Sequence, residues 1–476
     1  MKKNGKKARK LQKERNLRRS KMREEQALSR TDEIDLTSLS MSQLLPQNPV
    51  LCDTQEMRDF YLKTLQEYVR LCSWQDNQMV KAQLKAYEKL LANPKGPESP
   101  HPEIFYRFYL WIDFLFITLD IRERVGGKRN SDKLTEARKR FCAEFAMQSL
   151  EGKLLETLAA AAQGEGHLRK LAGILQTTQE QEYLLNFQRN LQFRSKKPFT
   201  VMITANMSAG KSTFINALTG KHVCRSQNMA CTSKIHTIVN KVFEDGVSYE
   251  YDHDLVLTAG TEELMNDNEE NTSDKIIVAT KFDGSLCEER LQVNDSPGVN
   301  FNGAPEHKEI TERMLQEQNY DLLIYIMNAT QLGTTDEATH LKRVQQLAGK
   351  IPILFVINKM DAVNAEEENV LALLQEQWAF LQENGFVHPA ICPVSSKAAF
   401  LAKRFAAGNL SRSEERELYC SVDKFEKMNL PAYYAKAVPK VYIKDAKTEE
   451  EQLLKTSGFT YVEKLIDSYL KRKSKR

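Results

Sequence analysis

Several features that would assign this chain to a common class are missing from its sequence. The eight cysteines form no Cys-x-x-Cys pair and no Cys/His cluster with zinc spacing, so we expect reduced structural thiols in a cytoplasmic protein. No apolar run follows the basic N-terminus, so no secretory signal is expected. The most apolar stretch, Ile104–Ile121, contains Arg107, Asp113 and Asp120, which are costly in lipid, and it is therefore interpreted as a buried helix.

The formal net charge is also small, +4, but the charged residues are unevenly distributed along the chain. Residues 1–30 carry thirteen Lys or Arg against three Glu, a balance of +10 that leaves −6 for the rest of the chain. We expect residues 1–49 to be a basic, disordered tail, because so polar a segment buries too little apolar surface to offset chain entropy. Contact of residues 1–30 with an anionic membrane or with RNA is one hypothesis, and a solvated tail is the other.

Helical periodicity begins near Asp53 and continues to about residue 195. Residues Met57, Tyr61, Leu65, Tyr68 and Cys72 share one helical face. An aromatic helix, Phe105 to Val125, follows a proline-rich loop, and a core role for it is preferred over insertion into lipid. We therefore expect residues 50–195 to form an α-helical bundle or stalk.

From residue 196 onward, short apolar runs alternate with helical stretches. Strands are expected at Phe199–Thr204, Ile235–Val242, Leu291–Asn294, Asp321–Met327, Pro352–Asn358 and Pro389–Val394, and helices at Thr311–Gln318, Asp336–Leu347 and Glu366–Glu383. Asp245-Gly246 favours a hairpin turn between two β-rich stretches. This order predicts an α/β domain over 196–476, with a mostly parallel, doubly wound sheet and a closing C-terminal helix at Gly458–Leu470.

The first expected strand leads into a P-loop arrangement of strand, loop, Gly-Lys-Ser and helix. The nucleotide-binding residues expected there are Asn206, Ser208, Ala209, Gly210, Lys211, Ser212 and Thr213. Backbone N–H groups would surround the β-phosphate, Lys211 would reach the β and γ oxygens, and the Ser212 hydroxyl would ligate Mg²⁺. Ala205 stands where the strict pattern has glycine, a modest cost if that residue must adopt the turn.

Two acidic motifs follow at the ends of later strands. Asp295-Ser296-Pro297-Gly298 would hold Mg²⁺ through water at Asp295 and sense the γ-phosphate with the Gly298 N–H. Asn358-Lys359-Met360-Asp361 would recognise guanine, because the Asp361 carboxylate can accept both the N1–H and the exocyclic amine.

Ser395-Ser396-Lys397 ends the last expected strand and would support the base with a main-chain N–H. Four such motifs in this order, each at the C-terminal end of an expected strand, indicate a P-loop G domain that binds GTP or GDP with Mg²⁺.

A switch threonine is expected between the P-loop and Asp295. Thr232 is the candidate: its hydroxyl would ligate Mg²⁺ and its carbonyl would orient the attacking water, with Ser233 and Thr237 as alternatives. The catalytic set is then Lys211, Ser208, Thr232 and Gly298. No arginine finger is evident in the sequence.

These motifs resemble those of the dynamin-like GTPases, most of all the bacterial members. The resemblance rests on Met207–Leu218, Asp295–Gly298 and Ile324–Glu337. It implies low nucleotide affinity, activation by pairing of G domains across the nucleotide, and often membrane remodelling. Met207 stands where animal dynamins have a glutamine implicated in positioning water, so catalysis would depend on Ser208 and backbone groups; Cys231 stands where they have proline.

The expected function is therefore GTP hydrolysis to GDP and phosphate by a self-associating, cytoplasmic protein acting peripherally at a membrane. Only 79 residues follow Lys397, too few for the returning stalk and lipid paddle of that family, so the N-terminal helices or a separate partner subunit would supply part of that machinery. A GTPase switch in ribosome or nucleic-acid transactions is one alternative, which the lack of aromatic residues among the basic ones of the tail disfavours. A GTP-binding scaffold with little turnover is the other, favoured by Ala205 and Met207.

Overall fold

The computed structural model describes residues 45–118, 128–147, 178–206, 208–224, 235–244, 248–252, 254–259, 275–297, 305–364, 369–436 and 443–474. The chain divides into two compact units, Met1–Gln192 and Phe193–Arg476. The basic segment 1–30, the turn Asp245-Gly246 and the site candidates Met207, Thr232 and Gly298 lie outside the described residues.

The first unit is helical throughout its described part. Its helices are α1 (Gln55–Leu71), α2 (Gln78–Ala92), α3 (Arg107–Ile117), α4 (Lys128–Glu144) and most of α5 (Thr178–Ser195). Side-chain oxygens of Thr54 and Asn77 accept hydrogen bonds from backbone N–H groups in the first turns of α1 and α2, which explains where these helices begin. No helix within the described ranges is both long and apolar enough to cross a bilayer.

Helix α3 lies at the centre of this unit, and every residue from Phe108 to Ile117 is buried. Its one buried carboxylate, Asp113, is fully enclosed and accepts hydrogen bonds from the hydroxyls of Tyr61 and Tyr183, each at 2.6 Å, and from Asn48 Nδ2 at 3.0 Å. The aromatic segment is therefore core, as its internal charge predicted.

The expected tail boundary at residue 49 needs correction. Leu45 is fully buried, and Asn48, 2% exposed, joins the Asp113 cluster and caps the 3-10 turn Pro49–Cys52. These residues belong to the helical unit because a buried carboxylate requires donors, and Asn48 supplies one.

The second unit contains a nine-stranded sheet in its described part. The strands are β1 (Phe199–Ala205), β2 (Ile235–Asn240), β3 (Ser248–Asp252), β4 (Asp254–Ala259), β5 (Lys275–Thr280), β6 (Leu291–Asp295), β7 (Leu322–Asn328), β8 (Ile353–Asn358) and β9 (Ala390–Pro393). The helices are α6 (Lys211–Thr219), α7 (Pro305–Glu317), α8 (Thr335–Leu347), α9 (Val370–Glu383), α10 (Ser396–Ala406), α11 (Arg412–Met428), α12 (Glu449–Thr456) and α13 (Phe459–Ser474).

The strand order is β4-β3-β5-β2-β6-β1-β7-β8-β9. Strands β6, β1, β7, β8 and β9 run parallel, whereas β2 is antiparallel to β6 and β3 is antiparallel to both β4 and β5. Alternate residues of β1 enter different cores: Val201 packs in the cluster that contains Phe214 of α6 and Phe459 of α13, and Met202 packs in the cluster that contains Leu341 of α8. The predicted fold class, a mostly parallel sheet with helices on both faces, is confirmed.

The hairpin expected at Asp245-Gly246 is wrong. Strands β2 and β3, which precede and follow this turn, are not hydrogen-bonded to each other, because β5 lies between them in the sheet. A hairpin turn joins strands that pair with each other, so β2 and β3 do not form the expected hairpin. The hairpin in this region is instead formed by β3 and β4.

Candidate functional site

The sequence motifs converge at one edge of the sheet. Strands β1, β6, β8 and β9 are parallel, so the segments that follow their carboxyl ends meet there. These segments are the P-loop after β1, Asp295 at the end of β6, Asn358–Asp361 after β8, and Ser395–Lys397 after β9.

The turn of the P-loop is made by Ser208 and Gly210, with φ angles of +60° and +85°. Ala205 is instead the last residue of β1 and is buried, so the residue that replaces glycine in the strict pattern has no left-handed conformation to adopt. Gly210 has a second requirement: a Cβ there would lie 2.5 Å from Asn358 Nδ2. Only glycine fits this approach, and α6 begins at the next residue, Lys211.

Lys211 and Asp295 form an ion pair within the site, with Nζ 2.5 Å from Oδ1 and side chains only 10% and 3% exposed. The thiol of Cys224 lies in the same environment. Its pKa is raised, chiefly by burial and secondarily by the charge of Asp295, so it remains a neutral thiol. The site therefore places the Lys211 ammonium and the Asp295 carboxylate side by side, with both side chains largely shielded from solvent.

Asn358 joins three segments of the site through one side chain. Its Nδ2 donates to the carbonyl oxygens of Ala209 at 3.0 Å and Gly210 at 3.3 Å. Its Oδ1 accepts from the backbone N–H of Ser396 at 3.1 Å. The P-loop and the start of α10 are therefore held in register by a residue located between them.

Asp361 lies beside Ser395, whose Oγ donates to Asp361 Oδ1 at 2.6 Å. The same Oγ accepts from Ala398 N at 3.2 Å and so caps α10. Lys359, two residues before Asp361, adopts a left-handed φ of +65° that turns the chain out of β8. The Lys397 side chain points to the surface and pairs with Glu417.

Residues of the C-terminal helical region contact the segment Ser395–Lys397 and the helix α10 that begins there. Ser395 N donates to Ser457 O at 3.0 Å. The buried Lys403 of α10 donates to Glu463 of α13 at 2.6 Å and to the carbonyl oxygen of Leu218, at the end of α6, at 3.1 Å. The closing helix α13 thus contacts α10 through Lys403, and the same lysine links α10 to the end of α6.

Two residues of this region escaped the sequence analysis. Asn216 of α6, 1% exposed, accepts from the N–H groups of Val223 and Cys224 and donates to Cys224 O, at 3.0, 2.9 and 2.8 Å. The sequence signal that could have pointed to Asn216 was its position, five residues after Lys211. Lys424 donates to the backbone oxygen of Asp361 at 2.6 Å, and no local pattern links two residues so distant in sequence.

Two titratable side chains of α8 are buried near the end of β1. His340 Nε2 lies 3.3 Å from Thr204 Oγ1, and burial lowers its pKa to about 4. Glu337 accepts from Gly333 N at 3.0 Å, and burial raises its pKa to about 7. Both side chains therefore favour their neutral forms in the fold.

Comparison with known proteins identifies this arrangement. Residues 201–360 match the model of the dynamin family. This stretch begins in β1 and contains the P-loop, Asp295 and Asn358, whereas Asp361 and Ser395–Lys397 follow it. Residues 201–360 are a dynamin-family GTPase domain.

Two curated proteins are similar to part of this chain. The bacterial dynamin-like protein of Nostoc punctiforme is 25% identical over 35% of this chain and 25% of its own length. A probable transmembrane GTPase, FZO-like and chloroplastic, of Arabidopsis thaliana is 24% identical over 46% of this chain and 22% of its own length. The matched part spans about a quarter of each relative.

Among solved structures, one of an oligomerised bacterial dynamin pair is similar at 16% identity and a TM-score of 0.33, covering 77% of this chain and 61% of that one. The Aquifex aeolicus GTPase Era bound to GDP and AlF4⁻ is similar at 18% identity and a TM-score of 0.26, covering 52% of this chain and 59% of that one.

Proposed function

We propose that the dynamin-family domain binds GTP with Mg²⁺ and hydrolyses it to GDP and phosphate. The observation that carries this proposal is the side chain of Asn358, which hydrogen-bonds the phosphate-binding loop with one atom and the start of the last base-recognition segment with the other. Such a bridge fixes the distance between a phosphate site and a base site, as a nucleoside triphosphate requires.

The phosphate end of this site is formed by Asn206, Ser208–Thr213 and the N-terminus of α6. Backbone N–H groups at a helix N-terminus attract anions, and Lys211 adds a full positive charge. Lys211 would exchange its contact with Asp295 for the β and γ oxygens, which it can do because both partners are anionic.

The side chains assigned to Mg²⁺ have the right chemistry for it. Ser212 offers a hydroxyl and Asp295 a carboxylate at the edge of the phosphate site, and Mg²⁺ prefers oxygen ligands. Thr232 would add a second hydroxyl. When bound, the ion supplies positive charge that offsets the developing charge on the phosphates.

The base end is formed by Asp361, with Asn358, Lys359 and the segment Ser395–Lys397 around it. The Asp361 carboxylate would accept the N1–H and the amine of guanine, while Ser395 Oγ donates one hydrogen bond to its Oδ1 at 2.6 Å. Adenine presents an acceptor at N1 and would leave the carboxylate without a donor, so ATP is disfavoured.

Hydrolysis on this proposal uses Lys211 and backbone groups to stabilise transition-state charge. Ser208, exposed in the left-handed turn of the P-loop, would contact the γ-phosphate, and the Thr232 carbonyl and Gly298 N–H would orient water and phosphate. Met207 cannot hydrogen-bond water strongly, so the isolated domain should be slow.

The proposal extends to self-association through the G domain and action at a membrane surface. Membership of residues 201–360 in the dynamin family supports the first. The thirteen basic residues of segment 1–30 would supply electrostatic attraction to anionic lipid for the second.

The test is hydrolysis of GTP, ATP and xanthosine triphosphate by wild type and Asp361→Asn over a wide range of protein concentration. We expect wild type to turn over GTP, at a rate per molecule that rises with protein concentration. Asp361→Asn should prefer xanthosine triphosphate, because the amide presents a donor where xanthine has a carbonyl.

Three results would change the proposal. Unchanged GTP preference in Asp361→Asn would refute the guanine site. A rate per molecule independent of concentration would refute activation by pairing. Tight GTP binding without turnover would replace the hydrolase with a GTP-binding scaffold.

A further inference from the structure

Helix α11 contacts both segments that the proposed function assigns to the guanine base. Lys424 Nζ donates to the backbone oxygen of Asp361 at 2.6 Å, and Glu417 pairs with the ammonium of Lys397. These two residues of α11 are seven apart, which is two helical turns, so they lie on one side of the helix.

The helix is fixed firmly enough to act as a support. A capping box of Ser411 and Glu414 defines its start, and Glu414 also pairs with Arg404 of α10. Its apolar side, with Phe425 fully buried, packs in the same core as Met360, the residue directly before Asp361.

We propose that Lys424 and Glu417 are positioning residues for guanine recognition: Lys424 fixes the backbone of Asp361, and Glu417 holds Lys397 of the neighbouring segment. This inference rests on the proposed function, in which Asp361 reads the base. Neither residue would touch the nucleotide; each would act through the segment that does.

Guanine recognition depends on the direction in which the Asp361 carboxylate points. A carboxylate that accepts two hydrogen bonds from guanine must present both oxygens at fixed angles, and the Cα of Asp361 sets those angles. Ser395 restrains the carboxylate, and Lys424 restrains the peptide that follows it. Loss of the Lys424 contact frees that peptide, so binding energy must then be spent on ordering it.

The experiment compares the affinities of the full-length protein for GDP and inosine diphosphate. The inosine base lacks the exocyclic amine, so the ratio of the two dissociation constants reports the second hydrogen bond to Asp361. Lys424→Met removes the donor and keeps the aliphatic stem, and Lys424→Arg restores a donor. Glu417→Gln removes the charge that holds Lys397. Exposed Lys427 and Glu426 of the same helix provide matched controls as Lys427→Met and Glu426→Gln.

We expect Lys424→Met to lower the preference for GDP over inosine diphosphate about fivefold, the value of one ordinary hydrogen bond. Glu417→Gln should lower it about twofold, because its ion pair is about half exposed. Lys424→Arg should restore most of the preference, and both control variants should retain it.

The Asp361→Asn variant separates this inference from the proposed function. If Asp361→Asn retains the preference, the base site is wrong and the inference falls with it. If Asp361→Asn abolishes the preference while Lys424→Met retains it, only the positioning role is refuted. A loss of both affinities by the same factor in Lys424→Met also refutes it, since that pattern indicates general destabilisation.

Discussion

Each unit of this chain contains buried carboxylates, and one from each unit, Asp113 and Asp295, are stabilised in opposite ways. Asp113, fully buried in the helical unit, is surrounded by neutral donors from Tyr61, Tyr183 and Asn48. Asp295, 2% exposed in the second unit (Phe193–Arg476, called the GTPase unit below), is paired with the ammonium of Lys211. Burial raises the pKa of Asp113 to about 6, because hydroxyl and amide donors only partly compensate for lost hydration.

The difference indicates what each carboxylate is for. Neutral donors from α1, α5 and the segment before α1 tie Asp113 to three parts of one unit, an arrangement that specifies packing. A cation at the end of a flexible stem can change partners, so the pair Lys211–Asp295 suits a site that accepts an anion and a metal ion. Breaking each arrangement should therefore have different consequences.

The largest effect is expected from Lys211→Ala. GTP hydrolysis should fall at least about a hundredfold, because the main cation of the phosphate site is lost. The GTPase unit should also lose about 3 kcal/mol of its free energy of unfolding, since Asp295 remains buried without its partner. Urea unfolding followed by the fluorescence of Trp378, the tryptophan of this unit, measures the second effect.

A double variant separates the two roles. Lys211→Ala with Asp295→Asn removes both charges, so it should recover most of the stability and none of the activity. Equal instability in the single and double variants would show that the ion pair contributes little to folding.

The next largest effect is expected from Asp113→Leu in the helical unit. Three donors lose their acceptor, and we expect a loss of about 3 kcal/mol, reported by Trp74 and Trp111, with GTP turnover per folded molecule unchanged. Asp113→Asn keeps the shape and is the milder control. A loss of turnover in the folded Asp113→Leu protein would contradict the separation of structural and chemical carboxylates.

A smaller effect is expected from Ser395→Ala, which removes both the partner of Asp361 and the cap of α10. Affinity for GDP should fall about fivefold. Ser411→Ala removes a similar cap, that of α11, and should cost the same ~1 kcal/mol of stability without this change in affinity. Equal affinities in the two variants would argue against a role for Ser395 in orienting Asp361.

The smallest effect is expected from pH. The pKa of Asp113 is about 6 in the fold against 3.8 unfolded, so the folded state binds the proton more tightly. The helical unit should therefore gain stability as the pH falls through 6 toward 4, by about 1 kcal/mol between pH 7 and 5, and Asp113→Asn should abolish the gain.

The GTPase unit should respond less, because two groups oppose each other. The pKa of Glu337, raised to about 7, gives stability on acidification below 7, whereas the pKa of His340, lowered to about 4, removes stability as the pH falls below 6.5. In Glu337→Gln the opposing effect of Glu337 is absent, so the free energy of unfolding should be lower at pH 5 than at pH 7 because of His340. Unfolding curves at the two pH values measure this difference. An equal pH response of both units in wild type would contradict this cancellation.

The sequence predicted those parts of the molecule that are encoded in contiguous motifs. Lys211, Asp295, Asn358 and Asp361 each lie at the C-terminal end of a strand or in the segment after it, so their meeting at one sheet edge could be inferred from strand order alone. The predicted fold class is confirmed for the same reason.

The sequence could not show contacts between residues that are distant from each other along the chain. Nothing local indicates that β5 inserts between β2 and β3, since strand neighbours are chosen by packing across the sheet. The contact of Lys424 with Asp361 and the two-sided bridge of Asn358 are of the same kind. Loss of glycine at Ala205 was expected to strain the loop, but that residue lies in a strand.

The contacts of Ser395 with Ser457 and of Lys403 with Glu463 can form only after the C-terminal helices have been synthesised. The P-loop leaves the ribosome long before Ser457 and Glu463. Ser395 and Lys403 are anchored only after these two later residues have folded against them. Long-range closure of this kind is slow relative to local helix formation. If the proposed function holds, nucleotide that binds the finished site and not its precursors will favour docking of the last helices, so GTP and GDP should also act as folding ligands.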